Sequence, residues 1–218
     1  TPISFYQNYE IPHSAFRIPH LQEALPLIPR LRLADKLDSK SQRLSMHASR
    51  NIAIVIFILF SVLYIGTACP TVYTMDNGEL IVAAYGLKIA HPTGYPLFCI
   101  LGKIGTLLIP FGSIAWRVNA LNAIIAAGAV SIAFLALSEV VRRRYAVFSA
   151  ALFGVSPVFW GAATSAEVHS LSVLLIATQL LLVLRWRACR DNRLLMYLAV
   201  VSGLALTNHL SSILIMPA

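Results

Sequence analysis

Apolar residues in this chain come in long runs separated by short polar stretches, and five of the runs reach the length of a membrane-spanning helix. They lie at about 52–69, 118–140, 145–164, 168–184 and 194–208, and a sixth starts near 210. Two further apolar pieces do not fit a span. "YPLFCILGKIGTLLIPFG" (95–112) offers fifteen residues between Pro96 and Pro110. As a helix that is roughly 22 Å, against a hydrocarbon core of about 30 Å. Lys103 sits in its middle, where insertion would cost about 3 kcal/mol. The stretch Glu79–Ala90, with Lys88 near one end, is shorter still. The pattern predicts two amphipathic helices at the membrane surface, about 77–90 and 95–111. The "HPTGYP" turn joins them, its prolines and glycine breaking the helix.

Composition agrees with an all-α, multi-spanning membrane protein. Of the 218 residues, 58% are hydrophobic and 12% charged, where soluble domains carry about a quarter charged. The net charge of +8 gains its meaning from where the charges fall. If 95–112 does not span and the N-terminus is cytoplasmic, fourteen of seventeen Lys/Arg lie inside. They are in the arm, in "RRR" (142–144) and in "RWRACRDNR" (185–193), which leaves Lys88, Lys103 and Arg117 outside. If 95–112 spans, the charges split eight and eight with Lys103 stranded in the bilayer. The positive-inside rule selects the first arrangement, and no nucleic-acid partner is expected. Cys69, Cys99 and Cys189 form no metal-binding spacing.

The chain divides into a basic, proline-containing cytoplasmic arm (1–50) and a membrane module (51–218). Prolines at 26 and 29 oppose one continuous helix through "LQEALPLIPRLRLADKL", so the arm reads as disordered or laid along a partner, possible other membrane subunits among them. No signal-peptide pattern is present, and the last apolar run breaks off at Ala218, so the module is expected to be truncated.

This topology gathers polar residues on the outer side: Asp76, Glu79, Lys88, His91, Lys103, Arg117, Glu167, His169, Asn208 and His209. Polar groups at a bilayer are costly and mark functional sites more often than ordinary surface polar groups do. Each also has a structural reading. Asp76 and Glu79 fit a capping-box variant, and Glu167 can cap the helix after it. His91 can fix its turn, Asn208 and His209 can satisfy a helix end, and the cations can anchor at the interface. A divalent metal held by the histidines and acids is an alternative, although Glu167 and His169, two apart, do not share a helical face.

"DNGELIVAAYGLKIAHPTGYPLF", "PFGSIAWRVNALNA", "AEVHSL" and "LALTNHLS" occur in this order. Together they resemble the N-terminal membrane module of the GT-C glycosyltransferases, specifically the transmembrane protein 260-like, protein O-mannosyltransferase-related family. The resemblance covers about 60–218. It implies a GT-C bundle, here about six transmembrane helices plus the two juxtamembrane helices. It implies transfer of a mannose-like sugar from a polyprenyl or dolichyl phosphate to a protein hydroxyl at the extracytoplasmic face. The membrane would be a bacterial inner membrane or the endoplasmic reticulum. Partners would be membrane lipids, the lipid-linked donor and the protein acceptor; no cofactor is called for beyond the metal alternative.

On that resemblance Asp76, Glu79 and Glu167 are the catalytic candidates. Lys88, His91, Tyr95, Lys103, Arg117, Asn208 and His209 are substrate-binding candidates. The chain departs from the family in its length, in His169 after "AEV", and in its arm. A second expectation follows from these departures: an inactive GT-C-derived structural subunit of a larger membrane complex.

Overall fold

The computed structural model describes residues 27–74, 76–210 and 212, with side chains from Met46 onward. Eight α-helices are described: α1 (Leu27–Gly66), α2 (Asn77–Gly86), α3 (Pro96–Leu108), α4 (Ile114–Ser138), α5 (Arg143–Gly154), α6 (Pro157–Thr164), α7 (Val168–Cys189) and α8 (Asn192–Asn208). Packing divides the chain into Thr1–His47 and Ala48–Ala218. In the first unit the described backbone is helical from Leu27, where the sequence led us to expect disorder or partner-bound chain. Pro29 is accommodated because it falls in the first turn, where backbone N–H groups have no intrahelical acceptor. Pro26 and the rest of 1–26, and nearly all of the run beginning near 210, lie outside the described residues.

Among the described residues three helices are long and apolar enough to cross a membrane: Met46–Gly66, Ile114–Ser138 and Val168–Cys189. The run at 145–164 is not one straight span. It breaks into α5 and α6 with a bend of 64°. Pro157 is the cause, since it opens α6 and forces Ser156 into an extended conformation (ψ 136°). The run at 194–208 forms α8, whose 17 residues reach about 25 Å. The chain is thus a helical membrane protein with, among the described residues, three continuous candidate spans, or four if the bent pair counts as one. The two short helices form as expected, and the 13 residues of α3 extend only about 20 Å.

The long helix α4 is the axis of the module from Ala48 onward. Its small residues Ala123, Ala126, Ala127 and Ala129 are fully buried, and small side chains let helix backbones approach closely in membranes. On one side it packs with Ala53, Ile56, Phe60 and Tyr64 of α1 and with Ala146, Ala150, Phe159 and Ala163 of α5 and α6. Phe60 lies against Gly154, where a Cβ would collide with its ring, and the Tyr64 hydroxyl donates to the Gly154 carbonyl at 2.6 Å. The break between α5 and α6 is therefore clasped by α1.

On its other side α4 joins a second cluster, formed by Leu80, Ile81 and Ala83 of α2, Phe98 and Cys99 of α3, and Leu171 and Leu175 of α7. A Cβ at Gly102 would stand 2.6 Å from Ala84, so glycine sets the approach of α3 to α2. The polar loops at the ends of these helices, 67–76, 87–95 and 165–167, carry the candidate site.

Candidate functional site

Asp76 is the residue before α2, yet its side chain makes no capping hydrogen bond; only its carbonyl joins the helix, accepting from Leu80 N–H at 2.9 Å. Glu79 does not close a capping box either. Its Oε1 accepts the His91 backbone N–H at 2.6 Å, and its Oε2 lies 3.1 Å from His91 Nδ1. Glu167 precedes α7 and likewise makes no side-chain cap. All three carboxylates are thus free of the helix-end work that their positions suggested.

His91 links the carboxylates Asp76 and Glu79. With Nδ1 on Glu79, its Nε2 stands 3.1 Å from the Tyr95 hydroxyl and 3.8 Å from Asp76 Oδ2. A carboxylate on one ring nitrogen fixes the tautomer and aims the other nitrogen. Tyr95 is buried and sits at φ +45°, a left-handed conformation that bulky residues rarely adopt. That backbone turns the ring under His91, with centroids 5.1 Å apart, and stacks it on His209 at 5.9 Å. His209 in turn faces the ring of His169 at 6.0 Å. The end of α8 and the start of α7 thereby meet the α2–α3 turn.

Asp76 and Glu167 come from separate loops and line one open cleft of about 340 Å³, together with Tyr73, Thr74, Ser165 and His169. Burial first, and the negative charge of Asp76 second, push the Glu167 carboxyl above its ordinary range. A smaller cleft of about 250 Å³ shares Tyr73, Gly161 and Ser165 with it and adds Thr67, Cys69 and Thr164. Among the described residues no group of three or more His, Cys, Asp or Glu is arranged to hold a metal ion.

Three expected substrate-binding residues have other partners. Arg117 donates to the carbonyls of Thr106, Phe111 and Gly112, closing the α3–α4 loop. Lys103 Nζ donates to the Tyr85 carbonyl at 2.7 Å and lies over the Tyr85 ring. Asn208 is buried and donates to Val168 O and Ser172 Oγ, fastening α8 to α7. Lys88 borders a different, mostly apolar groove of about 450 Å³ with Leu87, Thr93 and Ile100.

The sequence analysis assigned nothing to Asn77, Asn119 and Asn122, all buried behind the cleft. Asn119 Nδ2 donates to the carbonyls of Cys69 and Thr71, and its Oδ1 accepts from Ala166 N–H at 2.8 Å and from Asn77 Nδ2 at 3.3 Å. Asn77 Oδ1 accepts the Tyr73 N–H at 2.8 Å. Asn122 donates to the carbonyls of Ala162 and Ser165. Three carboxamides on otherwise apolar helices were the available signal, since a buried amide must find partners.

With this geometry in hand, the chain can be compared with known proteins. The profile of the protein O-mannosyl-transferase TMEM260 N-terminal domain matches residues 76–218. The chain belongs to this family. Its members include the mouse protein O-mannosyl-transferase TMEM260, 35% identical over 139 residues, which is 62% of this chain and 20% of the mouse protein. The Dictyostelium discoideum protein O-mannosyl-transferase tmem260 is 34% identical over 127 residues, 57% of this chain and 16% of its own length. The match thus spans a fifth or less of either TMEM260 relative. No solved structure matches. The profile begins at Asp76, so every expected site residue lies within the region shared with TMEM260 proteins.

Proposed function

We propose that this chain forms the outer-face site of a protein O-mannosyltransferase that takes mannose from a polyprenyl or dolichyl phosphate and places it on a Ser or Thr hydroxyl. The observation that carries the reading is the convergence of Asp76 and Glu167 on one open cleft beside the His91–Tyr95–His209 cluster. Asp76 is the general base. Its side chain is 63% exposed and carries no capping bond, so its oxygens are available to an incoming hydroxyl. As the acceptor oxygen bonds to the sugar C1, the bond from C1 to the phosphate oxygen breaks and the hydroxyl proton passes to Asp76. The sugar develops positive charge in this step, and a second nearby carboxyl, Glu167, stabilises it. The departing lipid phosphate needs donors, for which His91 and His209 are the candidates. The α2–α3 hairpin lies at the membrane surface, its exposed Val82, Ile104, Leu107 and Leu108 facing lipid.

The test is transfer by the purified protein carrying this module, reconstituted with polyprenyl phosphate mannose and a Ser/Thr peptide. Mannosylated peptide that disappears with Asp76→Asn supports the reading. An Asp76→Asn protein that turns over at the wild-type rate overturns it.

A further inference from the structure

We infer that Asn119 is a positioning residue that fixes the loops of Asp76 and Glu167 against each other across the cleft. The inference rests on the catalytic reading of those two carboxylates. Asn119 is completely buried near the outer end of α4, one of the long apolar helices, and it uses every hydrogen-bonding position of its carboxamide. The oxygen receives Ala166 N–H, from the residue before Glu167, and Asn77 Nδ2, from the residue after Asp76. The two donors hold the carbonyls of Cys69 and Thr71, which pins the linker leading into Asp76. One side-chain oxygen is therefore shared by the chain neighbours of both carboxylates.

Water does not compete for these bonds, and a buried acceptor left without its donor is expensive. The two loops cannot drift apart without breaking them. Most buried amides are simply structural. Gln179 is such a case: its Nε2 donates to Ser202 Oγ at 2.9 Å between α7 and α8, and it lines none of the clefts described above. Asn119 differs because its partners flank the reacting groups on both sides. The titratable groups lining the Glu167 cleft are Asp76 and Tyr73 from the linker and His169 from α7; α6 contributes none. The closeness of Asp76 and the partial burial of Glu167 hold the Glu167 carboxyl above its ordinary range. Loosening the loops relieves both effects.

The experiment uses the purified protein carrying this module in lipid nanodiscs, with Asn119→Ala, the milder Asn119→Ser, and Gln179→Leu as the structural comparison. Protonation of Glu167 is followed by infrared difference spectroscopy, the band being assigned by its loss in Glu167→Gln. The expected result is a titration midpoint moved to lower pH in the Asn119 variants, with kcat down roughly 10- to 100-fold and KM little changed. Gln179→Leu lowers Tm and leaves the midpoint and kcat in place. An unmoved midpoint in Asn119→Ser, or an equal movement in Gln179→Leu, overturns the inference. If Asn119→Ala does not fold, Asn119→Ser and Asn77→Ser carry the comparison, the latter removing the Asn77 donor to Asn119 together with its bonds to Tyr73 N–H and the Ala166 carbonyl. The infrared midpoint needs no turnover, so failure of the transferase reading shows as an active Asp76→Asn protein and stays separate from failure of this inference.

Discussion

Glu79 grips His91 at two points, taking its backbone N–H at 2.6 Å on one oxygen and standing 3.1 Å from its ring Nδ1 with the other. The glutamate side chain is 49% exposed and the histidine 35%, so solvent screening limits the pair to under about 1 kcal/mol. Its value lies in aim. We predict that Glu79→Ala lowers Tm by less than about 4 °C while lowering kcat by roughly 10- to 100-fold. Glu79→Gln, which keeps an oxygen for the backbone N–H, should fall between. Thermal denaturation and steady-state kinetics on the same preparations check this, and wild-type turnover in Glu79→Ala would remove the orienting role.

Asp76 offers a cleaner separation of stability from activity. It makes no capping bond, and a general base contributes about 10²- to 10⁴-fold. The expectation for Asp76→Asn is a turnover loss of that order with no fall in Tm. A comparable fall in Tm would mean that the carboxylate has a folding role that the geometry does not show.

Glu167 makes stability depend on pH. Its folded pKa lies above its unfolded one, through burial and then through Asp76. Between the two values the folded state holds more protons, so stability declines as pH rises through that window. Below the ordinary glutamate range both states are protonated and the penalty is absent. Glu167→Gln should therefore match wild type in acid and exceed it in Tm at neutral and higher pH. Asp76→Asn should show part of the same gain. Tm measured against pH in one detergent decides the matter, and parallel wild-type and Glu167→Gln curves would refute it.

Gly154 should tolerate no side chain. A Cβ there meets the Phe60 ring, so Gly154→Ala should cost roughly 1–3 kcal/mol by overpacking. Phe60→Leu in the same chain should recover part of that loss, because residues in contact do not act independently. Denaturation of both single variants and the double variant measures the coupling.

Much of the fold was legible from the sequence because long apolar runs and their breakers are local signals. The shortness of 95–112, framed by Pro96 and Pro110, correctly gave a short helix. The run at 145–164 passes as one candidate span, but its average hydropathy conceals the break at Pro157, although a proline inside a helical pattern is a known breaker. Asp76 and Glu167 could be singled out as acids at a membrane face, but their shared cleft could not be derived. The contacts that build it, such as Asn119 to Cys69 and to Ala166, join residues 50 and 47 positions apart, beyond any local periodicity. The carbonyl partners of Arg117, a substrate-binding candidate, are backbone groups, which leave no mark in a residue pattern.

The clasp of Asn119 also orders the maturation of the site. Asn119 falls between Asp76 and Glu167 along the chain, so the first acidic loop lacks its Asn119 bonds until α4 has been made. The second acid arrives only with the turn into α7, and His209 later still, at the end of α8. No nascent chain that ends before His169 can hold the assembled cleft, and a ribosome-bound intermediate stopped before Ala166 would present Asp76 beside a carboxamide oxygen lacking one of its two donors.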